Sequence, residues 1–399
     1  MLKKHSAFLG SLLALSLNTG ITAKAPSVPP STFKIDEPIE RHIMGNALVL
    51  IGMGINDDDV PTIISALQAH PEVDALYLAL NNISDKGVSL LSMQKNINLL
   101  YLNENLITEI GAQFLAQDDS LISLSLTNNR IGSNGAIALA TSNSIENLNL
   151  ADTGMDDKGL KALATNEHLI TLEISHNQFT QEGIAALSNN ASIHYLDLSN
   201  NNMNKEMISI LARKPNLYGL ELNNNPIGDK GAIALTQLSN LTRLSIKRCA
   251  INPNGAKSIS QLSSVRYLEM NGNALGNEGA HYIATMPNLF EVKLRHTQIS
   301  DDGAAALARN TSIHSLNLTY NNIGDKGALA LAETTTLEML DIAHNNISRV
   351  GIDALKNNPH FKYLYIGSNE DLSLRLNAKY KLKHLTLCQQ ALNLSSCKE

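Results

Sequence analysis

The chain has 399 residues, a formal net charge of −6 and few aromatic side chains, with no tryptophan. That balance argues against a basic nucleic-acid binder. A compact chain of this length would divide into two or three domains, whereas an array of repeats forms one elongated domain of any length.

Residues 1–23 read as a secretory signal peptide: Lys3 and Lys4 precede an apolar stretch, Ala7 to Leu17, that is too short to span a bilayer. Cleavage is expected after Ala23, because a cut after Ala25 would place Pro26 immediately beyond it. No nearby cysteine offers a lipid anchor. Residues 24–47 follow as a linker and N-terminal cap, extended through Pro26-Ser27-Val28-Pro29-Pro30-Ser31 and amphipathic from Phe33 to Met44. Leu48, Leu50, Met53 and Ile55 then open the repeating region, 28 residues ahead of Leu76, Leu78, Asn81 and Ile83. An extra helical turn through Ile63, Ile64 and Leu67 absorbs the excess.

From Val73 a 24-residue pattern returns without insertion or deletion as far as Phe361. In the copy from Ile313 to Thr336, the spacing of Ile313, Leu316, Leu318 and Ile323 predicts a short strand entering a tight turn at Asn321. Ala328, Leu331 and Ala332 share one face of a helix. A single coil cannot bury its apolar edge, whereas a stack buries it against both neighbours, so residues 48–370 predict an α/β solenoid. Glycine opens every helix except at Met207 and is expected to let backbone approach backbone between coils. Asp, Ser, Thr or Asn ahead of that glycine suits helix N-capping. Asparagine fills the turn except at Thr153, Cys249 and Thr297, and is expected to satisfy buried backbone groups of the next coil. Cys249 reads as structural, because nothing nearby in the repeat supplies an activating base.

The phrase L-x-x-L-x-L-x-x-N-x-I followed by G-A-x-x-L-A resembles the leucine-rich repeat. More narrowly, it resembles the ribonuclease-inhibitor-like subclass and the 24-residue GALA repeats of bacterial effectors, spelled here by Gly327-Ala328-Leu329-Ala330. The resemblance implies a curved horseshoe, with parallel strands on the concave face and helices on the convex one. It also implies a scaffold for protein partners, those of GALA effectors belonging to a host. Such effectors add an F-box that recruits ubiquitin-ligase machinery, and Pro26 to Ala47 shows no F-box pattern.

Residues flanking the strand leucines form columns on the concave face, with neighbouring strands about 4.8 Å apart. Glu173, Asp197 and Glu221 are consecutive like charges in the central column, which costs stability unless something cationic covers them. Tyr195 and Tyr267 flank that run. Beside it lies a basic cluster of Arg243, Lys247, Arg248, Lys293 and Arg295 with His296. Adding Tyr77, Tyr101, Glu269, Asp341 and Tyr365 from the same columns gives a bipolar surface suited to docking a protein of complementary charge. A plain solvated face is the alternative.

Residues 371–399 read as a C-terminal cap in which Cys388 and Cys397 form a disulfide if the protein is exported, and two free thiols if it sits in a reducing cytosol. No H-E-x-x-H, C-x-x-C, G-x-S-x-G or phosphate-binding loop occurs, so no catalytic residue, metal ligand or cofactor is expected. The sequence thus reads as a non-enzymatic, monomeric interaction protein without nucleic-acid binding or membrane insertion. One setting is a protein exported by a bacterium to the periplasm or medium, with a translocated effector binding a host protein as a variant. The other is an envelope-resident structural or adhesion module.

Overall fold

The computed structural model of the protein describes residues 38–369 apart from Pro215. The leader, most of the linker, and Cys388 and Cys397 lie outside the described residues. A 3-10 turn, Ile39–His42, buries Ile39 and leads into β1 (Ile43–Met44), which pairs antiparallel with β2 (Ala47–Val49). Strand β2 in turn pairs parallel with β3 (Ala75–Tyr77), and Leu48 stands opposite Leu76. The 28-residue offset therefore keeps the repeat in register. It is absorbed by α1 (Val60–Ala69), a helix of 10 residues that buries Val60, Ile63 and Leu67.

From β3 to β15 (Tyr363–Tyr365) every strand is three residues long, and each lies beside its neighbours in chain order in one 15-stranded sheet, parallel from β2 onward. The strands relevant below are β7 (Thr171–Glu173), β8 (Tyr195–Asp197), β9 (Gly219–Glu221), β10 (Arg243–Ser245), β11 (Tyr267–Glu269), β12 (Glu291–Lys293), β13 (Ser315–Asn317) and β14 (Met339–Asp341). In the Ile313 copy, Ile313, Leu316, Leu318, Ile323, Ala328 and Leu331 are at most 1% exposed, the sequence's core residues for that coil. Each such leucine or isoleucine contributes about 1.5–3 kcal/mol of burial. Helices of neighbouring coils pack side by side along the opposite edge.

The asparagine column is a hydrogen-bond ladder, but it runs the other way from the sequence expectation. Asn129 donates from Nδ2 to Leu102 O at 2.9 Å, and its Oδ1 accepts from Ile107 N at 3.0 Å, both in the preceding coil. A third bond, to Leu126 O at 3.1 Å, closes its own turn. Thr153 and Thr297 keep only the donor role, to Leu150 O and Leu294 O, while Cys249 turns its Sγ toward Leu222 O at 3.1 Å. These three gaps share one compensation. In the coil before each of them a glycine with positive φ (Gly132, +59°; Gly228, +60°; Gly276, +56°) turns its N–H onto the backbone carbonyl of Thr153, Cys249 or Thr297 at 2.9–3.0 Å. Only glycine enters that left-handed region without a steric penalty.

The helix-opening glycines also need a different explanation from the one expected. An added Cβ at Gly111 would meet side chains: Asp85 Oδ1 at 2.5 Å and Ile107 Cγ2 at 2.6 Å. Asp85 is the first residue of the preceding helix, α2 (Asp85–Leu91), and reaches forward to cap the next one, α3 (Glu109–Ala116). Its carboxylate accepts from Thr108 N at 2.8 Å, Gly111 N at 2.9 Å and Thr108 Oγ1 at 2.6 Å. Own-helix capping, as expected, falls to residues such as Ser84, Thr108, Thr180 and Ser348. Met207 stands in the glycine column of its helix, Lys205–Leu211, and is buried there.

Candidate functional site

The site is the solvent-facing side of the sheet from β7 to β14. Strand alternation buries Leu172, Leu196, Leu220, Leu244 and Leu268 and turns the third residue of each strand outward. Register then places Glu173 opposite Asp197, and Asp197 opposite Glu221. All three are only partly exposed. Asn149 donates to Glu173 Oε2 at 2.5 Å, Ser199 N to Asp197 Oδ1 at 2.8 Å, and Asn223 Nδ2 to Glu221 Oε2 at 3.1 Å. The Tyr195 hydroxyl donates to Glu221 Oε1. Among the described residues no lysine or arginine forms a salt bridge with any of the three. Burial, then the charges of Asp197 and Glu221, push the Glu173 carboxyl up to about 7. Asp197 is raised by burial and by Glu221, and Tyr195 by burial and by the same glutamate. Register thus sets the three carboxylates side by side; the charge of Lys247 acts on Asp197, but among the described residues no cation is salt-bridged to the ladder.

The basic half is more selective than the sequence column suggests. Lys247 pairs with Glu269 at 3.6 Å and Lys293 with Glu291 at 2.9 Å, so these two ammonium groups are largely neutralised. Glu269 also accepts from Asn271 at 2.6 Å. Arg243 and Arg295 have no carboxylate partner among the described residues and lie on aromatic rings instead. The Arg243 guanidinium carbon is 4.6 Å from the Tyr267 centroid, and that of Arg295 is 4.5 Å from Tyr320. Tyr320 is itself stacked between His296, centroids 4.4 Å apart, and His344, 4.0 Å apart. Arg248, also without a carboxylate partner there, lies across Gly272, where an added Cβ would come within 2.8 Å of its Cγ. Between the two halves is a depression of about 40 Å³ lined by Glu221, Arg243, Ser245, Tyr267, Glu269 and Lys293.

Of the other columnar residues, Tyr77 and Tyr101 stack at 4.7 Å near the first coils, and burial raises both phenols. Asp341 is raised by burial and accepts from Asn317 at 3.2 Å, and burial likewise raises Tyr365 on β15. Tyr101 feels the charge of Glu173, and Tyr365 stands opposite Asp341 of β14, so these tyrosines border the face at its two ends. Tyr320 and His344 do join it and are absent from the sequence columns. They sit three residues beyond the strand column, at a position that adopts positive φ in coil after coil, Arg248 (+50°), His296 (+54°), Tyr320 (+55°) and His344 (+54°) among them. The 24-residue step from His296 to Tyr320 to His344 was the available signal. Cys249 is buried, and its thiol is pushed up to about 11 by burial, which leaves it unreactive. Among the described residues no three His, Cys, Asp or Glu side chains converge to hold a metal ion, and no helix is long and apolar enough to cross a membrane.

A family model described as "Leucine Rich repeat" matches ten segments between residues 74 and 356: 74–92, 119–140, 141–164, 165–188, 215–235, 237–260, 261–284, 285–308, 309–332 and 334–356. Together they cover more than half of the chain. The chain belongs to the leucine-rich repeat family. No curated protein sequence matches it. Among solved structures, this leucine-rich repeat chain is similar to the complex of Rad7 and Elc1 in yeast, at 17% identity and a TM-score of 0.50, with 78% of this chain and 88% of that one covered. An internalin from Listeria monocytogenes shares 20% identity over 83% of this chain and 88% of that one, at a TM-score of 0.46. A plant peptide hormone receptor in complex with RGF2 shares 16% identity over 81% of this chain and 56% of that one, at 0.44. At these identities the likeness concerns the fold.

Proposed function

We propose that this leucine-rich repeat protein is a non-catalytic scaffold that captures a protein partner on the β7–β14 face. The observation that carries the reading is the run Glu173–Asp197–Glu221, which among the described residues has no salt-bridged cation, beside arginines that lie against aromatic rings. Three partly buried carboxylates in contact repel one another. A partner cation placed over them relieves that repulsion, so the surface gains from being occupied. Rad7 with Elc1 and the plant receptor with RGF2 were solved as complexes, which agrees with a binding role without specifying a partner here.

The leader from Met1 to Ala23 supports export from a bacterial cell, and the 24-residue step with its helices of seven to nine residues supports the GALA-like subclass. On that reading the partner lies in the envelope, the medium or a host. Quantitative affinity capture from extracts of those compartments tests the scaffold function. Wild type should enrich a defined partner that the triple variant Glu173→Lys/Asp197→Lys/Glu221→Lys fails to enrich while keeping its circular dichroism spectrum. Equal enrichment by a folded triple variant would remove the acidic ladder from the function. Intact mass of the exported protein adds the compartment: loss of residues 1–23 is expected.

A further inference from the structure

An arginine held against an aromatic ring keeps N–H groups free for other acceptors, a fork suited to carboxylate or phosphate. Arg243 lies against Tyr267 and Arg295 against the His296–Tyr320–His344 stack, and both are exposed. Arg248, fixed across Gly272, stands between them. Lys247 and Lys293 in the same coils already have carboxylate partners, which leaves the three arginines as the cations of this cluster without one among the described residues.

What anion they receive follows from their neighbours. Glu221 on β9 adjoins β10, which carries Arg243, and the acidic run extends from there to β7. A single-stranded nucleic acid carries a negative charge about every 3.4 Å, so one long enough to cross the face would lay phosphates over Glu173, Asp197 and Glu221. A polypeptide can change the sign of its charge along its length.

Resting on the docking reading above, we propose that the occupant is an extended partner segment of split charge, whose Asp and Glu residues face Arg243, Arg248 and Arg295 and whose Lys or Arg residues face Glu173, Asp197 and Glu221. Arg243 and Arg248 belong to the coil of β10 and Arg295 to that of β12, so strands about 4.8 Å apart give the arginines a span of roughly 10 Å, the same as the carboxylates on β7 to β9. At about 3.3 Å per extended residue, this corresponds to an acidic block of about three residues and a basic block of about three.

The test is fluorescence anisotropy of the full chain with four labelled probes. These are a peptide of three Glu followed by three Lys, the same composition in scrambled order, a hexaglutamate peptide, and an oligothymidylate of six nucleotides. The block peptide should bind at least tenfold tighter than the other three. Arg243→Gln/Arg248→Gln/Arg295→Gln should remove that preference without lowering the thermal midpoint, since all three side chains are exposed. Arg295→Lys, which keeps charge but not the fork, should lose part of it. Equal binding of the scrambled peptide, tighter binding of the oligothymidylate, or no binding of the block peptide would each overturn the proposal. Failure here would leave the docking reading standing if partner capture still depends on Glu173, Asp197 and Glu221. Failure of both would remove the face altogether.

Discussion

Lys214 is a single residue that departs from its column and carries a measurable cost. After the helices of neighbouring coils, Asn166 and Asn190 form a second ladder: Asn166 donates to Ala140 O at 3.0 Å and Ser142 O at 2.7 Å, and its Oδ1 accepts from Leu169 N at 2.9 Å. Lys214 occupies the next rung, is fully buried, and its ammonium donates to the carbonyl of Asn190. Burial pulls its ammonium down to about 8 from an ordinary 10.5. The unfolded chain therefore holds more protons than the folded one between pH 8 and 10.5, and stability is expected to rise with pH across that window. Lys214→Asn would supply the missing acceptor for the following N–H groups and remove a buried charge. Urea unfolding should show it about 1–2 kcal/mol more stable at pH 7, with the rise above pH 8 flattened.

At the scale of one coil, the unit is not independent, because each turn is written partly in the coil before it. Gly132 and Gly324 occupy the same repeat position, yet only Gly132 has positive φ, since Thr153 leaves a rung that Asn345 fills. Gly132→Ala should cost about 1–2 kcal/mol. Gly324→Ala, at φ −106° with its nearest neighbours 3.5 Å away, should be close to neutral. Chemical denaturation of the two variants decides whether this pairing is real, and equal costs would refute it. The period and the core leucines were legible in the sequence because burial repeats with every coil. The direction of the ladders was not, because a 24-residue period is the same read forwards or backwards. The Asp85–Gly111 contact was hidden for a similar reason: both residues look like helix-start chemistry until their separation of one coil is seen.

For the molecule as a whole, the charged columns were readable from strand alternation, and register confirms that Glu173, Asp197 and Glu221 are neighbours. Which cations remain available was not readable, because Lys247–Glu269 and Lys293–Glu291 pairing depends on side-chain reach, and the Tyr320 stack lies outside the strands. The raised Glu173 makes occupancy pH-dependent. Its folded form stays protonated up to about 7, so acidification from pH 8 to 6 removes negative charge from the ladder and should weaken binding of the lysine-bearing block peptide several-fold. Glu173→Gln should already bind weakly at pH 8 and change less on acidification. A pH-independent wild type would mean that the lysine block is not seated there.

The pairing of Gly132 with Thr153, of Gly228 with Cys249 and of Gly276 with Thr297 also constrains how such a chain can lengthen. A duplication or exchange whose breakpoint falls between the members of a pair joins an asparagine-type turn to a glycine-type one, leaving either a strained residue or an unmet N–H. Breakpoints outside each pair carry the two halves together. Lineages that gain or lose coils should therefore do so at some boundaries and not others, although the period itself marks no boundary as special.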